Sequence, residues 1–192
     1  MKVKCKFIKG SDLFFLKNKS VNELSSEKHL TIGKEYIVYA ITVHEEYIWY
    51  YLCDDRYSSY PIWDPSLFFE VIDPRLSRYW VYSFKKMEGY LSAQLCISFP
   101  QWALFHSEFY DKLTDWEKKE ENIFKAYKNK MDLEFPDHTI SIMAQVGDLN
   151  WLICPLCLDA WESSAEQDAM VICPYCHNIM HNPRYLNELP HL

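Results

Sequence analysis

Glycine is scarce in this chain: only 4 of the 192 residues are Gly. Phosphate-binding loops need several closely spaced glycines, and neither G-x-G-x-x-G nor G-x-x-x-x-G-K-S/T occurs. The patterns H-E-x-x-H and G-x-S-x-G are also absent, and the seven His are scattered along the sequence. These absences remove the usual signatures of nucleotide-binding proteins, zinc proteases and serine hydrolases. No motif supports an enzyme, and we expect a protein without catalytic activity.

Long apolar runs are missing as well. No stretch approaches the ~18 apolar residues that a bilayer-spanning helix needs. The N-terminal residues Met1–Phe7 alternate charged and apolar side chains, where a secretory signal would have a continuous apolar core. We therefore expect a cytoplasmic protein that does not bind membranes, in which the seven Cys stay reduced.

Positive charge is nearly absent from the C-terminal region. Residues 151–192 contain no Lys and one Arg against five carboxylates, whereas residues 1–20 carry a net charge of +5. Nucleic-acid affinity comes mainly from cations that meet phosphates, so this distribution argues against nucleic acid as a partner. The N-terminal lysines are better explained as a solvated face or as the protection of an edge strand.

Two cysteine pairs are the most specific signal in the sequence. The motifs Cys154-Pro-Leu-Cys157 and Cys173-Pro-Tyr-Cys176 are separated by 15 residues. Two C-x-x-C turns at this spacing predict a tetrahedral Zn²⁺ site with four thiolate ligands, held by two β-hairpins in a zinc ribbon. Four sulfurs leave no open coordination position, which indicates a structural rather than a catalytic metal.

The remaining Cys and the nearby His are given other roles. We expect His177 and His181 to lie at the surface or beside the ligands, because four sulfurs already complete the tetrahedron. We expect Cys5, Cys53 and Cys96, which lie in apolar runs far apart in sequence, to be small buried hydrophobic residues.

The first half of the chain is rich in strand patterns. Residues Lys2–Ile8 predict a strand, and the runs Leu30–Val43 and Tyr47–Cys53 predict a hairpin of long strands. Shorter runs at residues 60–63 and 68–72 extend it into an antiparallel meander, which on curling gives a small SH3-like barrel.

Helical patterns follow at Pro100. The sequence Thr114-Asp-Trp-Glu117 has the form of a capping box for a helix that runs to about Met131, with Trp116 on its apolar face. The overall prediction is an α+β protein with three parts: a β-rich SH3-like body (1–99), a helical segment and connector packed on it (100–150), and a four-Cys zinc ribbon with a tail (151–192).

Aromatic residues are unusually dense in one stretch: Tyr47, Trp49, Tyr50, Tyr51, Tyr57, Tyr60 and Trp63. Because successive residues of a strand face opposite sides, both faces of this region must be covered. One interpretation is a protein-binding surface ringed by carboxylates. The carboxylates concerned are Glu45, Glu46, Asp54, Asp55 and Asp64. The other is a two-sided sheet packed on the 114–131 helix. For the pair Asp54-Asp55 alone, a polar turn is favoured over a metal or acid/base site.

Several segments resemble small bacterial proteins encoded beside contact-dependent and other polymorphic toxins. The segments are Leu30–Tyr39, Tyr60–Trp63, Phe69–Asp73 and the closing Asn182-Pro-Arg184. This resemblance covers most of residues 30–184 and implies an immunity protein that binds and blocks a cognate toxin domain, often a nuclease. An acidic protein suits the basic active site of a nuclease and would associate with it rapidly.

Two alternatives stay open at this point. A zinc-ribbon nucleic-acid-binding regulatory protein would use the basic N-terminal segment, including Lys2, Lys4, Lys6 and Lys9. An uncharacterised zinc enzyme would need an open position on the metal.

Overall fold

The computed structural model describes residues 1–9, 28–44, 47–86, 93–164 and 166–185. It shows a strand-rich mixed α/β protein whose chain divides into two compact units, Met1–Lys128 and Asn129–Leu192. Within the ranges just given, every helix is too short or too polar to cross a membrane. The three finer segments expected from the sequence, 1–99, 100–150 and 151–192, stay a prediction.

The first unit contains a seven-stranded antiparallel sheet. Its strands are β1 (Lys2–Cys5), β2 (Glu35–His44), β3 (Tyr47–Leu52), β4 (Ile62–Pro65), β5 (Phe69–Asp73), β6 (Val81–Lys86) and β7 (Ala93–Ser98). The order is β4-β3-β2-β1-β5, with β7 paired to β2 and β6 paired to β7. The predicted hairpin and its extension are therefore confirmed, while the SH3-like form of the body stays a prediction.

Strand β2 pairs with three other strands of the sheet. Its residues 35–37 pair with β1, and Ile41 and Thr42 pair with β7. Strand β3 pairs with residues 38–44 along the opposite edge. Two strands from distant parts of the sequence thus share one edge of β2.

Strand β1 lies inside the sheet, so the interpretation of its lysines as edge protection is wrong. It pairs with β2 on one side and with β5 on the other. Lys2 is only 6% exposed, and its Nζ lies 2.6 Å from a carboxylate oxygen of Glu35. A paired carboxylate is what allows a lysine to be buried. Val3 and Cys5 are buried in the core as the alternation predicted.

Three helices follow the sheet: α1 (Pro100–Phe105), α2 (Ser107–Thr114) and α3 (Lys118–Glu134). The predicted capping box is wrong, because Thr114 ends α2 instead of beginning α3. Its hydroxyl donates to the carbonyl oxygens of Tyr110 and Asp111 at 3.1 and 2.9 Å. Trp116 lies between the helices with φ 63° and is exposed, so it does not belong to an apolar helix face.

The aromatic stretch is covered by the protein itself. Tyr51 contacts Trp102 of α1 and Tyr110 of α2 at ring-centroid distances of 4.8 and 4.9 Å. Trp49 and Trp63 contact each other at 4.6 Å. The intramolecular interpretation is confirmed: α1 and α2 cover Tyr51, and α3 also packs on the sheet, with Phe124 5.4 Å from Tyr39 of β2 between ring centroids.

The three described carboxylates of the predicted negative ring are buried or paired. Asp54 and Asp64 are buried, and the Nζ of Lys28 lies 3.0 Å from a carboxylate oxygen of Asp64. Asp55 is bound by the ammonium group of Lys34. Glu45 and Glu46 lie outside the described residues. A carboxylate close to the sheet is neutralised or hydrogen-bonded there, because an isolated buried charge is too costly.

The second unit contains five short strands: β8 (Gln145–Val146), β9 (Trp151–Ile153), β10 (Ala160–Glu162), β11 (Met170–Ile172) and β12 (Ile179–His181). They form a three-stranded sheet of order β10-β9-β8 and the hairpin β11–β12. The two predicted hairpins are present, and each is closed by one of the cysteine pairs.

Candidate metal centre

The first cysteine pair occupies the turn between β9 and β10. The backbone N–H of Cys154 donates to the carbonyl of Asp159, and the N–H of Leu158 donates to the carbonyl of Cys154, each at 2.9 Å. A further N–H, from Leu156, points at the Sγ of Cys154 at 3.4 Å. These bonds reverse the chain within a few residues and turn both thiols to the same side.

The second pair repeats this arrangement between β11 and β12. The N–H of Cys173 donates to the carbonyl of Asn178 at 3.0 Å, and the N–H of His177 donates to the carbonyl of Cys173 at 2.9 Å. In both turns the residue directly after the second Cys has a positive φ, 65° at Leu158 and 58° at His177. Two turns of the same backbone form therefore face one another across the site.

The four sulfurs converge on one point. The Sγ atoms of Cys154, Cys157, Cys173 and Cys176 all lie within 4.8 Å of one another. Two of the separations, Cys154–Cys176 and Cys157–Cys173, are 3.6 Å. Zn–S bonds of about 2.3 Å in a tetrahedron place sulfurs about 3.8 Å apart, so the cluster has the right size for Zn²⁺. It could hold a metal ion of this kind, and the sulfurs are too far apart for disulfides.

The surroundings of the cluster are apolar on one side. Cys154 and Cys173 are buried together with Leu152, Val171 and Met180, which form the small core of the unit. Cys157 and Cys176 are half-buried at the surface side. The site is thus part of the core rather than an addition to it.

Hydrogen bonds separate the acidities of the two outer thiols. The side-chain amide of Asn178 donates to the Sγ of Cys176 at 3.3 Å and lowers the pKa of that thiol to about 6. At Cys157 a backbone hydrogen bond from Asp159 lowers the pKa, but burial and the neighbouring Cys173 thiol outweigh it, and the pKa is raised. A thiol with a low pKa supplies the thiolate that metals bind.

The two nearby histidines are not members of the cluster. The side chain of His177 is exposed, and its backbone closes the second turn. The Nε2 of His181 lies 2.7 Å from the carbonyl oxygen of Ile140. The position of both outside the four-sulfur group agrees with the sequence analysis.

The motif Asn182-Pro-Arg184 holds the ribbon together, a role that sequence reasoning missed. The buried side-chain amide of Asn182 donates to the carbonyl of Asp168 at 2.8 Å. The guanidinium of Arg184 donates to the carbonyl of Trp151 at 3.0 Å and also to that of Leu149. We call this set of contacts the Asn182–Arg184 clasp. No local sequence pattern marks these contacts, because their acceptors are backbone carbonyls distant in sequence.

Apolar side chains stand exposed on the two cysteine turns. Leu158 is 78% exposed and Tyr175 is 58% exposed, and Leu156 is exposed between the first two ligands. We call these three residues the knuckle tips.

The other candidate residues are structural. Asp54 accepts from the N–H groups of Arg56 and Tyr57 at 2.9 and 2.7 Å, which is the polar turn expected. Burial raises the pKa of Cys5 to about 11 and that of Cys96 to about 12, and Cys53 is half-buried. In the described part of the chain the four-cysteine cluster is the only group of three or more potential metal ligands.

Comparisons with models of known protein families, with curated proteins and with solved structures gave no match.

Proposed function

We propose that the four cysteines bind Zn²⁺ as a structural metal in a reduced, cytoplasmic protein. The observation that supports this proposal is the set of four thiol sulfurs at metal-binding separation. Buried apolar side chains of the second unit surround these sulfurs. Four thiolates fill a tetrahedron and leave no position for water, which a catalytic zinc normally keeps. The strands beside the site are two or three residues long and need the metal to hold them.

A metal assay and one spectrum test this assignment. We expect one Zn²⁺ per chain, and after cobalt substitution the absorption spectrum of a tetrahedral four-thiolate site. Fewer than four thiolates in that spectrum, or none, would contradict the site. A spectrum with a bound water would instead support the zinc-enzyme alternative.

We also propose that the chain acts by binding a protein, as an immunity protein that neutralises a cognate toxin. The proposal is supported by the resemblance described above and by the knuckle tips, which offer apolar contact on an acidic region. Arg184 is the single Arg of residues 151–192, which contain no Lys, and its guanidinium donates to backbone carbonyls. The described residues of this region therefore offer phosphates no other Lys or Arg. The acidic ring around the aromatic stretch no longer supports the proposal.

Co-purification with the product of a neighbouring toxin gene tests this function. We expect a one-to-one complex that weakens as salt rises. Leu158→Asp should weaken it at least about tenfold, because a charge replaces an apolar contact. The matched control Leu104→Asp, at a leucine of the first unit that is 62% exposed, should leave it unchanged. Absence of any complex would remove the immunity function.

The nucleic-acid alternative has less support than the sequence suggested. Lys2 and Lys6 form ion pairs with Glu35 and Glu70, at 2.6 and 3.1 Å. A lysine already paired gains less from a phosphate. Retardation of DNA or RNA at low salt, lost in a variant with Lys4 and Lys9 neutralised, would revive this alternative.

A further inference from the structure

A cleft of about 220 Å³ lies between α1, α2 and the first turn of α3 in the first unit. It is separate from the cysteine cluster in sequence, and none of the functions discussed above uses it. Its walls combine the apolar side chains of Phe109 and Ile123 with several charged and polar groups. A concave, partly apolar site with a few polar groups is the usual form of a small-ligand site.

Two residues that line this cleft each carry a buried acceptor oxygen with no partner in the described part of the chain. Glu120 is only 6% exposed, and its Oε2 has no hydrogen-bond partner among the described residues. The Oε1 of Gln101, which lines the same cleft, is also buried and without a partner there. Buried polar atoms are nearly always hydrogen-bonded in native proteins, so two unmet acceptors in one cleft indicate a missing donor.

The lysines at the cleft do not supply that donor. Lys112 is bound to Glu108, with 2.9 Å between Nζ and Oε1. The Nζ of Lys119 lies 4.0 Å from the other oxygen of Glu120, Oε1, and this side chain is 81% exposed. The buried face of the Glu120 carboxylate is therefore left for a group that enters from outside.

We propose that this cleft binds an alkylammonium group. Its N–H bonds would go to the Oε2 of Glu120 and the Oε1 of Gln101, and its carbon chain would lie against Phe109 and Ile123. A cation answers the charge of Glu120, and an ammonium group offers three donors, enough for both acceptors. The proposal does not depend on toxin binding or on the metal.

Titration of the full-length protein with n-butylammonium, followed by NMR, tests the proposal. We expect saturable binding with shifts in α1, α2 and the start of α3, and none with the anion butyrate or with neutral 1-butanol. Equal binding of 1-butanol would overturn it, since the acceptors would then not be recognising charge. Absence of any binding by n-butylammonium would also overturn it, leaving water as the partner of the two oxygens.

Two isosteric variants make the test specific. Glu120→Gln should weaken n-butylammonium binding at least about tenfold, because a charge-assisted hydrogen bond is lost. The matched control Glu121→Gln changes the adjacent carboxylate, which is bonded to Lys118 at 2.9 Å, and should leave binding unchanged. If Glu120→Gln does not fold, Gln101→Leu removes the second acceptor instead. Unchanged affinity in the folded variant would contradict the assignment.

The same titration distinguishes two sources of the ammonium group. If the peptide acetyl-Gly-Lys-Gly-amide binds as tightly as n-butylammonium, the cleft accepts a lysine side chain of a partner protein. If the peptide is excluded while n-butylammonium and 1,5-diaminopentane bind, the ligand is a free small amine. Either result supports the ammonium site and assigns its source.

Discussion

The two units of this protein are built on different physical principles. The first has strands of up to ten residues and buries Phe99, Trp102 and Phe124 almost completely. The second has strands of two or three residues, and only a few buried aliphatic side chains surround its four cysteines. A unit with so little apolar area to bury needs a metal or another cross-link to remain folded. In the second unit the four-cysteine cluster therefore takes the place of a larger apolar core.

Removal of a metal ligand should have the largest effect and should be confined to the second unit. We expect Cys154→Ser or Cys173→Ser to lose the metal and to unfold the ribbon, because at such sites the free energy of metal binding, about 10–16 kcal/mol, is the free energy of folding. Zinc content and amide hydrogen exchange measure this. The amides of β2 and β3 should stay protected.

Cys53→Ser is the control for that experiment, because Cys53 is a half-buried thiol outside the cluster. It should leave zinc content unchanged. If the ligand variants keep both zinc and protection in β9 and β11, the contrast between the units is wrong.

A cavity made in the first unit should destabilise that unit and leave the zinc content of the second unit unchanged. Trp102→Ala removes a side chain that is 1% exposed and that contacts Tyr51, Phe99 and Phe109. We expect a loss of about 3–5 kcal/mol in the free energy of unfolding, measured by urea denaturation, with no loss of zinc. Loss of zinc in this variant would mean that the two units depend on each other.

Asp64 gives the first unit a pH dependence of unusual sign. Burial raises the pKa of Asp64 to about 6, and the attraction of Lys28 only partly offsets it. Because the folded state holds the proton more tightly than the unfolded state, this group stabilises the fold below about pH 4, and its contribution is lost as the pH rises through 6. Compared with the wild type, Asp64→Asn should gain on the order of 3 kcal/mol between pH 4 and pH 7.

Asp55→Asn is the control of opposite sign. Burial alone would raise the pKa of Asp55, but hydrogen bonds from Lys34, Thr31 and Tyr36 outweigh it and lower the pKa. The Asp55 carboxylate stabilises the fold above its unfolded pKa and ceases to do so as the pH falls through its lower folded pKa. This variant should therefore be less stable than the wild type above the unfolded pKa, and the difference should be lost at lower pH. Parallel pH profiles of the two variants in urea denaturation would contradict the assignment for Asp64.

The Asn182–Arg184 clasp should contribute to the second unit on a smaller scale. Asn182→Ala leaves the carbonyl of Asp168 without the donor that bonds it at 2.8 Å, which costs about 1–3 kcal/mol. We expect faster release of zinc to a chelator. Asn178→Ala, which removes a hydrogen bond to the Sγ of Cys176, serves for comparison. Equal release rates for Asn182→Ala and the wild type would exclude a role for the clasp.

The smallest expected effect is a gain. His177 has φ 58°, a region that glycine adopts at less cost than other residues. His177→Gly should keep the metal and raise the stability of the second unit by up to about 1 kcal/mol, as measured by zinc retention in urea. Loss of zinc would instead assign a ligand role to the imidazole.

The cysteine site was predictable because its information is local. Each C-x-x-C turn is fixed by hydrogen bonds within a few residues, so the spacing of the cysteines is enough to predict the geometry of the two turns. The strand runs were predictable for the same reason. The helix start was not, because Thr114-Asp-Trp-Glu117 has the form of a capping box while the Thr114 hydroxyl donates backward to Tyr110 and Asp111. Phe109 and Leu113 are buried in the core, and their burial favours a helix that continues to Thr114.

The pairing of charged side chains was the least predictable feature of the structure. Sequence alone could not reveal that Asp64 lies beside Lys28, or Lys2 beside Glu35, because those partners are far apart along the chain. Among the described residues, Asp64, Lys2 and Lys6 are engaged in ion pairs and do not stand as isolated surface charges. The contacts of the Asn182–Arg184 clasp were likewise hidden, since its acceptors are backbone carbonyls distant in sequence: Asp168 for Asn182, and Trp151 for Arg184.

The shared edge of β2 has a consequence for folding on the ribosome. Strands β1 and β2 are synthesised early, whereas β7 is complete only after residue 98. Until then the edge of β2 at Ile41 and Thr42 has no partner from β7 and presents unpaired backbone groups. A long-range pairing of this kind folds slowly, so the nascent chain passes through an interval in which it can pair with other strands. Synthesis beyond Ser98 is the event that closes this interval.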